Sequence, residues 1–286
     1  MKKSLLPIFM GLGLCLVQTI AKAQHEAKEH ISKEFTLTKG VVAVYNVFGS
    51  INVEGYSGNK VIMEIDQTIS ADDEATLAEG KKEFKLAFDE KADTVMAYIA
   101  APFDSRPHTH YGDWENNHRR IEYKYKLNFT IKVPYALSLR ISTINSGNIL
   151  VKDVYGSLHI NNVNGGIEIQ NAKGATYAHT VNGPVTVNYL VAPNDDSSYY
   201  TINGAIKVTY PATLAANIGF KSMNGQFYTD FDDVEVLPGK VTKTEGKGKN
   251  GTTYRLNKDS EVKIGAGGKL FKFETLNGNI YIKKQQ

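Results

Sequence analysis

Between Thr143 and Val208 the apolar and polar positions follow one short rule: an apolar residue, a polar one, Gly, any residue, then apolar, any, apolar. Val-Asn-Gly-Gly-Ile-Glu-Ile at 163–169, Val-Asn-Gly-Pro-Val-Thr-Val at 181–187 and Ile-Asn-Gly-Ala-Ile-Lys-Val at 202–208 align without gaps. Gly147, Gly156, Gly165, Gly174 and Gly183 fall nine residues apart, and the beat returns at Gly204, Gly225 and Gly278. A fixed short period marks stacked units, none of which buries its apolar side alone. Nine residues hold a strand of about five residues and a tight turn, so two units complete a flattened coil with one strand in each of two sheets. Side chains of equal parity share a face of a strand. On that rule Val154, Leu158 and Ile160 around Gly156, and Val163, Ile167 and Ile169 around Gly165, are expected inside. The same holds for Val181, Val185 and Val187 around Gly183, and for Ile202, Ile206 and Val208 around Gly204. Ser157, His159, Glu168, Thr186 and Lys207 alternate with them and suit solvent. Asn-Gly suits the corner, since both residues tolerate positive φ, and Asn164, Asn182, Asn203 and Asn224 are spaced to form an amide ladder. Around Gly174 the inward positions are only Thr176 and Ala178, which predicts a weakly packed coil.

Outside the repeat the pattern changes. Residues 1–23 pair Lys2 and Lys3 with an apolar run from Leu5 to Ile20 and a small-x-small site at Ala21-Lys22-Ala23, the pattern of a secretory signal. Residues 24–34 are polar and read as a flexible lead-in. Residues 35–133 read as a β-rich capping region, with strands at Phe35–Thr38, Val41–Val47, Val61–Ile65 and Val95–Ile99, and an early copy of the Gly pattern at Phe48–Val53. Ile121–Val133 alternates apolar and polar at every step, as a long half-buried strand does. Ala71–Phe84, with Asp72 and Asp73 near its start, is the one expected helix. Residues 134–286 carry the repeat, with a loop excursion over 231–272, and Phe273–Ile282 is a full copy expected to close the stack. The fold class that follows is all-β: a two-sheet β-solenoid, β-helix-like or β-roll-like, of ~18–21-residue coils with one short helix. Its two regions are expected to run on as one elongated domain.

The run Val-Pro-Tyr-Ala-Leu-Ser-Leu-Arg-Ile-Ser-Thr-Ile-Asn-Ser-Gly-Asn-Ile at 133–149, the successive Asn-Gly coils, and the closing Ile-Gly-Ala-Gly-Gly and Thr-Leu-Asn-Gly-Asn-Ile-Tyr-Ile are specific. On them the chain resembles the bacterial "putative adhesin" family of the DUF4097 type, over most of its length beyond residue 23. The resemblance implies a β-solenoid and an exported or surface location, and it carries no catalytic residue across.

Charge and chemistry narrow the functions. Loss of residues 1–23 would remove Lys2, Lys3 and Lys22 and no acid, taking 33 basic and 30 acidic residues to 30 of each. A neutral chain gives no basic face for nucleic acid. Cys15, the only cysteine, would leave with the signal, so neither disulfide nor thiol chemistry is expected. No later apolar run is long enough to span a membrane.

The densest reactive cluster is 108–120, which holds three of the seven histidines and the only tryptophan. His108 and His110 on an extended segment would point to one side, and His118 or Asp113 could add a third ligand for a borderline metal. Trp114 beside Asn and Arg suits stacking on a sugar. The competing reading is a polar surface loop, which lacks the support a metal site needs, and no metal or cofactor is assigned. Asp does not recur at the glycine turns, so no calcium roll is expected. Tyr177, Tyr199, Tyr200, Tyr228 and Tyr281 are taken as outward and suit a surface-binding strip, Tyr177 and Tyr228 foremost. No paired carboxylates recur at outward positions, and neither Gly-x-Ser-x-Gly nor a phosphate-binding Gly-Lys-Ser/Thr motif occurs. The sequence thus points to no catalytic residue. Its leading reading is an exported, non-enzymatic solenoid, periplasmic, outer-membrane-associated or extracellular. Such a solenoid would offer an adhesin-like or scaffold surface to a protein or glycan of the envelope. Alternatives are a polysaccharide hydrolase or lyase, or a metal-dependent enzyme, with its site near His108–His118, and an envelope-stress or signalling accessory.

Overall fold

A five-residue strand with every second position apolar gains little until neighbours cover that side. Here the neighbours are the rungs above and below. The computed structural model describes residues 25–107, 120–238, 241–245, 252–256 and 260–286. The chain opens with β1 (His25–Thr36), β2 (Val41–Tyr45), β3 (Ile51–Tyr56), β4 (Lys60–Ala71), α1 (Glu74–Glu83), β5 (Lys85–Lys91) and β6 (Thr94–Ala101). There follow β7 (Lys124–Pro134), β8 (Ser138–Thr143), β9 (Ile149–Lys152), β10 (Leu158–Asn162), β11 (Ile167–Ala172), β12 (Thr176–His179) and β13 (Val185–Tyr189). Next are β14 (Ser197–Asn203), β15 (Ile206–Tyr210), β16 (Ala216–Ser222), β17 (Phe227–Thr229), β18 (Val234–Leu237), β19 (Val241–Glu245) and β20 (Thr252–Leu256). The last three strands are β21 (Ser260–Ile264), β22 (Leu270–Asn277) and β23 (Ile280–Lys284).

Successive repeat strands fall into two facing sheets. A back sheet runs β1-β4-β7-β3-β9-β11-β13-β15-β23-β17, and a front sheet runs β18-β21-β16-β22-β14-β12-β10-β8-β2-β6-β5. Ile149, Ile167, Val185, Ile206 and Ile280 stand in parallel register across the back sheet, all buried. Leu139 and Leu158 face them from the front sheet in register with Thr176. The chain is all-β apart from α1, as expected. Asp73 caps α1, accepting from the Thr76 N–H at 2.8 Å. Gly80 lets that helix lie against Ile69 and Tyr123 at the first-rung end.

Five expectations are corrected. Residues 24–34 are not a flexible lead-in: from His25 onward they belong to β1, which pairs antiparallel with β4 along its whole length. The charges that made the segment look unstructured sit on an edge strand, where they oppose further pairing. Val163, Val181 and Ile202 are only half-buried, because parity switches where the chain turns from the front sheet into the back sheet. The inward corner residue is one place earlier: Thr143, Asn162, Thr180, Thr201 and Thr275 are buried. Each donates from its side chain to a glycine carbonyl one rung away, as Thr180 does to Gly165 and Thr201 to Gly183, both at 2.8 Å. Thus the apolar residue before each Asn-Gly forms an outer ridge, which reaches 40% exposure at Ile144 and Leu276 and 75% at Met223.

From Gly147 to Gly278 the glycines of the beat are needed for a reason other than positive φ, which Gly49 of the early copy shows and none of these does. A methyl on Gly147, Gly165, Gly183, Gly204, Gly278 or Gly225 would lie within 3.0 Å of the carbonyl oxygen of the glycine one rung away. Only a hydrogen there lets the corners stack. Beside them the amide ladder is present and longer than expected: Asn145, Asn164, Asn182, Asn203, Asn277 and Asn224 are linked side chain to side chain at 2.6–2.7 Å.

The C-terminal copy does not close the stack. β22 and β23 lie between the β14–β15 coil and the β16–β17 coil, so the chain passes one rung outward and then inserts its last strands behind it. Burial explains the order. Phe271, Phe273, Ile280 and Ile282 are buried, whereas Phe220 and Phe227 of the outer rung are only partly so. The excursion also contributes β18 and β21, which end the front sheet antiparallel.

The coil with Thr176 and Ala178 is not weakly packed. The space their small side chains leave is taken by the rings of Tyr189, Tyr199 and Tyr210, all fully buried. Their hydroxyls bond to one another, Tyr189 to Tyr199 at 2.7 Å and Tyr199 to Tyr210 at 3.1 Å. A buried phenol needs such a partner.

Candidate functional site

With inward and corner positions committed to packing, chemistry is left to the outward positions. On the front sheet these fall into two registered rows across the strands. One row is Arg140, His159, Tyr177, Ser198 and Lys272; the other is Ser142, Asn161, His179, Tyr200 and Glu274. Strand spacing of about 4.8 Å sets the distance from one member to the next. The His159 and Tyr177 rings stack at 4.5 Å with 15° between planes. In the next row His179 meets Tyr200 edge to face at 5.8 Å, and its Nε2 lies 2.7 Å from the Ser198 hydroxyl.

Both imidazoles titrate below the ordinary histidine range. Burial is the larger cause for each, with the Arg140 charge adding to it at His159 and His159 adding to it at His179. They are therefore neutral near pH 7, and the positive charge of the face comes from Arg140 and Lys272. Among the described residues neither forms an ion pair. Lys221 and Glu274, next along, neutralise each other at 2.7 Å. Beyond Lys272 the row reaches Gly219 and then Glu261, and the missing side chain at Gly219 leaves a depression of about 190 Å³ bordered by Lys221, Lys272, Glu261 and Glu274.

The back sheet differs. Its outer side carries cross-strand ion pairs, Lys152 with Glu54 and Lys60 with Glu34. His30 bridges Asp66 and Glu64 at 2.8 Å each. Those bonds, Asp66 first, hold the His30 imidazole above its ordinary range.

Of the residues singled out in the sequence, Tyr177 and Tyr200 lie on the front face. Tyr228 and Tyr281 stack at 5.1 Å on the back sheet, so the five tyrosines do not form one strip. Tyr199 is not outward but in the core, 1% exposed; adjacent strand residues face opposite sides, so Tyr199 and Tyr200 could not both point out. His108, His110, Trp114 and His118 lie outside the described residues. Arg140, His159 and His179 were not singled out as site residues. The signal for them was periodic: each sits at an outward position of a rung, and they become neighbours only when the eighteen- to twenty-one-residue coils are stacked. Among the described residues no group of three His, Cys, Asp or Glu could hold a metal ion, and no helix is long and apolar enough to cross a membrane.

No family model and no curated protein matches the chain. Solved structures similar to it include a "putative cell adhesion protein" from Clostridium sporogenes, at 11% identity and a TM-score of 0.38, covering 91% of this chain and 100% of that one. Another is a "putative adhesin" from Bacteroides fragilis, at 10% identity and a TM-score of 0.31, covering 91% and 98%. A third is a "putative lipid binding protein" from Parabacteroides distasonis, at 10% identity and a TM-score of 0.30, covering 90% and 97%.

Proposed function

We propose that this chain is an exported β-solenoid of the cell envelope that works by binding rather than catalysis, with the outer face of its front sheet as an adhesin-like contact or scaffold surface. On this reading residues 1–23 are a signal removed on export, and the rest is one elongated domain. The observation that carries it is the difference between the two outer faces. The back sheet pairs charges across β1, β4, β3 and β9, whereas the middle of the front sheet, over β8, β10, β12, β14 and β22, presents the stacked His159–Tyr177 rings, hydroxyls, and Arg140 and Lys272, which form no ion pair among the described residues. A flat face of mixed aromatic and polar groups suits contact with a partner.

The test has two parts. Fractionation of the producing cell with an antibody against residues 24–286 should find the processed chain in the envelope or medium. Purified protein should then bind intact cells, and Tyr177→Ser with Tyr200→Ser should abolish that binding while Tyr228→Ser with Tyr281→Ser leaves it intact. Retention in the cytoplasm, or equal effects of the two double variants, would sink the reading.

A further inference from the structure

The front face has a built gap. Tyr177 has one ring face stacked on His159; its other face looks along the row toward Ser198, a short side chain, and the next member after that is Lys272. The strands that carry Tyr177 and Lys272 are two spacings apart, roughly 10 Å, and only the short Ser198 side chain stands between them, which leaves a slot. One wall is an aromatic face, the other an ammonium group. Its floor is the Ser198 hydroxyl held by His179 Nε2 at 2.7 Å. Past Lys272 the depression above Gly219 forms a second gap in the same line, so Lys272 stands between two openings.

Each part constrains the occupant. The free face of the half-buried Tyr177 ring favours a flat body with C–H groups on one side and polar groups around its edge, the shape of a pyranose ring. Serine and imidazole at the floor supply a donor and an acceptor for hydroxyls. Lys272 and, at the far end of the row, Arg140 are cations without ion-pair partners among the described residues, so the complementary ligand is anionic. Two gaps in line across the strands call for a chain of rings rather than a single one; the depression above Gly219, bordered by Glu261 and Glu274 as well as Lys221, suits a neutral ring, which leaves the acidic one to the gap above Ser198. A peptide would instead be expected to pair with a sheet edge, and these gaps lie in the middle of the sheet, where the backbone groups of β12, β14 and β22 are already paired.

We propose that the gap above Ser198 is a subsite for an acidic sugar residue of an extended polysaccharide lying across the front sheet, its ring on Tyr177 and its anionic group at Lys272. The proposal rests on the front face being the contact surface, and it adds the ligand class. Carboxylated and sulfated glycans share this chemistry, so the probes separate them.

The experiment is calorimetric titration of residues 24–286 with a galacturonate hexamer, its fully methyl-esterified form, a mannuronate hexamer and a sulfated galactan oligomer. At least one acidic oligomer is expected to bind and the ester is not. Tyr177→Ala and Lys272→Gln should each weaken binding about tenfold. Added salt should weaken the wild type more steeply than Lys272→Gln, in which Arg140 is the cation left in the row. Both substitutions are at outward positions, so the urea midpoint serves as the check that the fold is kept. Three outcomes overturn the proposal: equal binding of acid and ester, binding that neither variant changes, or no binding of any acidic oligomer. If no oligomer binds yet Tyr177→Ser with Tyr200→Ser still abolishes cell binding, the contact surface stands and the glycan subsite falls.

Discussion

Gly183→Ala tests the reason given for the glycine beat. Gly183 has no positive φ, so on backbone grounds alone alanine should stabilise the chain by about 0.4–1 kcal/mol through the unfolded state. The rung contact predicts the opposite. A methyl there would lie within 3.0 Å of the Gly165 carbonyl oxygen and carbon and of the Gly166 nitrogen, backbone atoms that cannot rotate away. Relief requires the corners to separate. That stretches the Asn182 N–H bond to the Val163 carbonyl at 2.7 Å, the Ile167 N–H bond to the Pro184 carbonyl at 2.9 Å, and the Asn182–Asn164 step of the ladder at 2.7 Å. Overpacking of this kind costs about 1–3 kcal/mol, which outweighs the entropy gain and leaves a net loss of roughly 1–2 kcal/mol. Gly166→Ala is the control, because its methyl would meet only Pro184, at 3.4 Å, an ordinary contact. The measurement is the urea midpoint of both variants by circular dichroism, compared at equal m-value. A Gly183→Ala midpoint at or above the wild type would refute the close-approach account, as would an equal loss in Gly166→Ala.

Three further outcomes are expected. Thr201→Val keeps the shape but removes the hydroxyl that donates to the Gly183 carbonyl at 2.8 Å, and should lower stability by about 1–2 kcal/mol in the same urea assay. Burial pushes the Tyr189 phenol up to about 12 and those of Tyr199 and Tyr210 well above 10. Because unfolded tyrosines ionise near 10, the fold holds protons the unfolded chain has lost, and stability present below about pH 10 should be lost as pH rises beyond it. In an alkaline titration the phenolate absorbance of these three should appear with unfolding and not before it. The histidines should act in opposite senses. His30, raised by Asp66 and Glu64, contributes stability below about 6.5 that is lost as pH rises through its folded value. His159 and His179, lowered chiefly by burial, contribute stability above about 6.5 that is lost as pH falls through theirs. Imidazole NMR titrations should place His30 above the ordinary value and the other two below; three equal values would contradict the geometry.

How much of this was legible in the sequence depends on whether an interaction runs along one strand or between rungs. Alternation within a strand placed Val185, Val187, Ile206 and Val208 in the core correctly, because parity is a local property. It failed at Val163, Val181 and Ile202, where the chain changes sheets and parity resets. The amide ladder could be read from Asn-Gly spacing, but Asn145, displaced by Ser146, and Asn277, displaced by the excursion, join it only in three dimensions. The order of the last rungs was hidden too, since sequence order suggests the C-terminal copy is outermost and burial of Phe271 and Phe273 decides otherwise. The front-face cluster was the least legible. His159, Tyr177 and Ser198 are separated by eighteen and twenty-one residues and meet only through parallel register.

The same separation argues for where function lies. An inward residue is held to apolar shape by its rung neighbours, a corner threonine by the glycine carbonyl it must reach, and a repeat glycine by backbone within 3.0 Å. An outward residue in mid-sheet has no such duty. Ser198 could be any strand-forming residue without disturbing the core, yet a small side chain there opens the slot between Tyr177 and Lys272. His179 faces outward as well, and its bond to Ser198 orders a floor that the stack itself does not require. Placing a long side chain at 198, as in Ser198→Gln, should therefore leave the unfolding free energy from urea titration within about 0.5 kcal/mol of the wild type while filling the gap and blocking the acidic oligomer. If Ser198→Gln instead unfolded the chain, the hydroxyl would have a packing role and the slot would be a by-product of the fold.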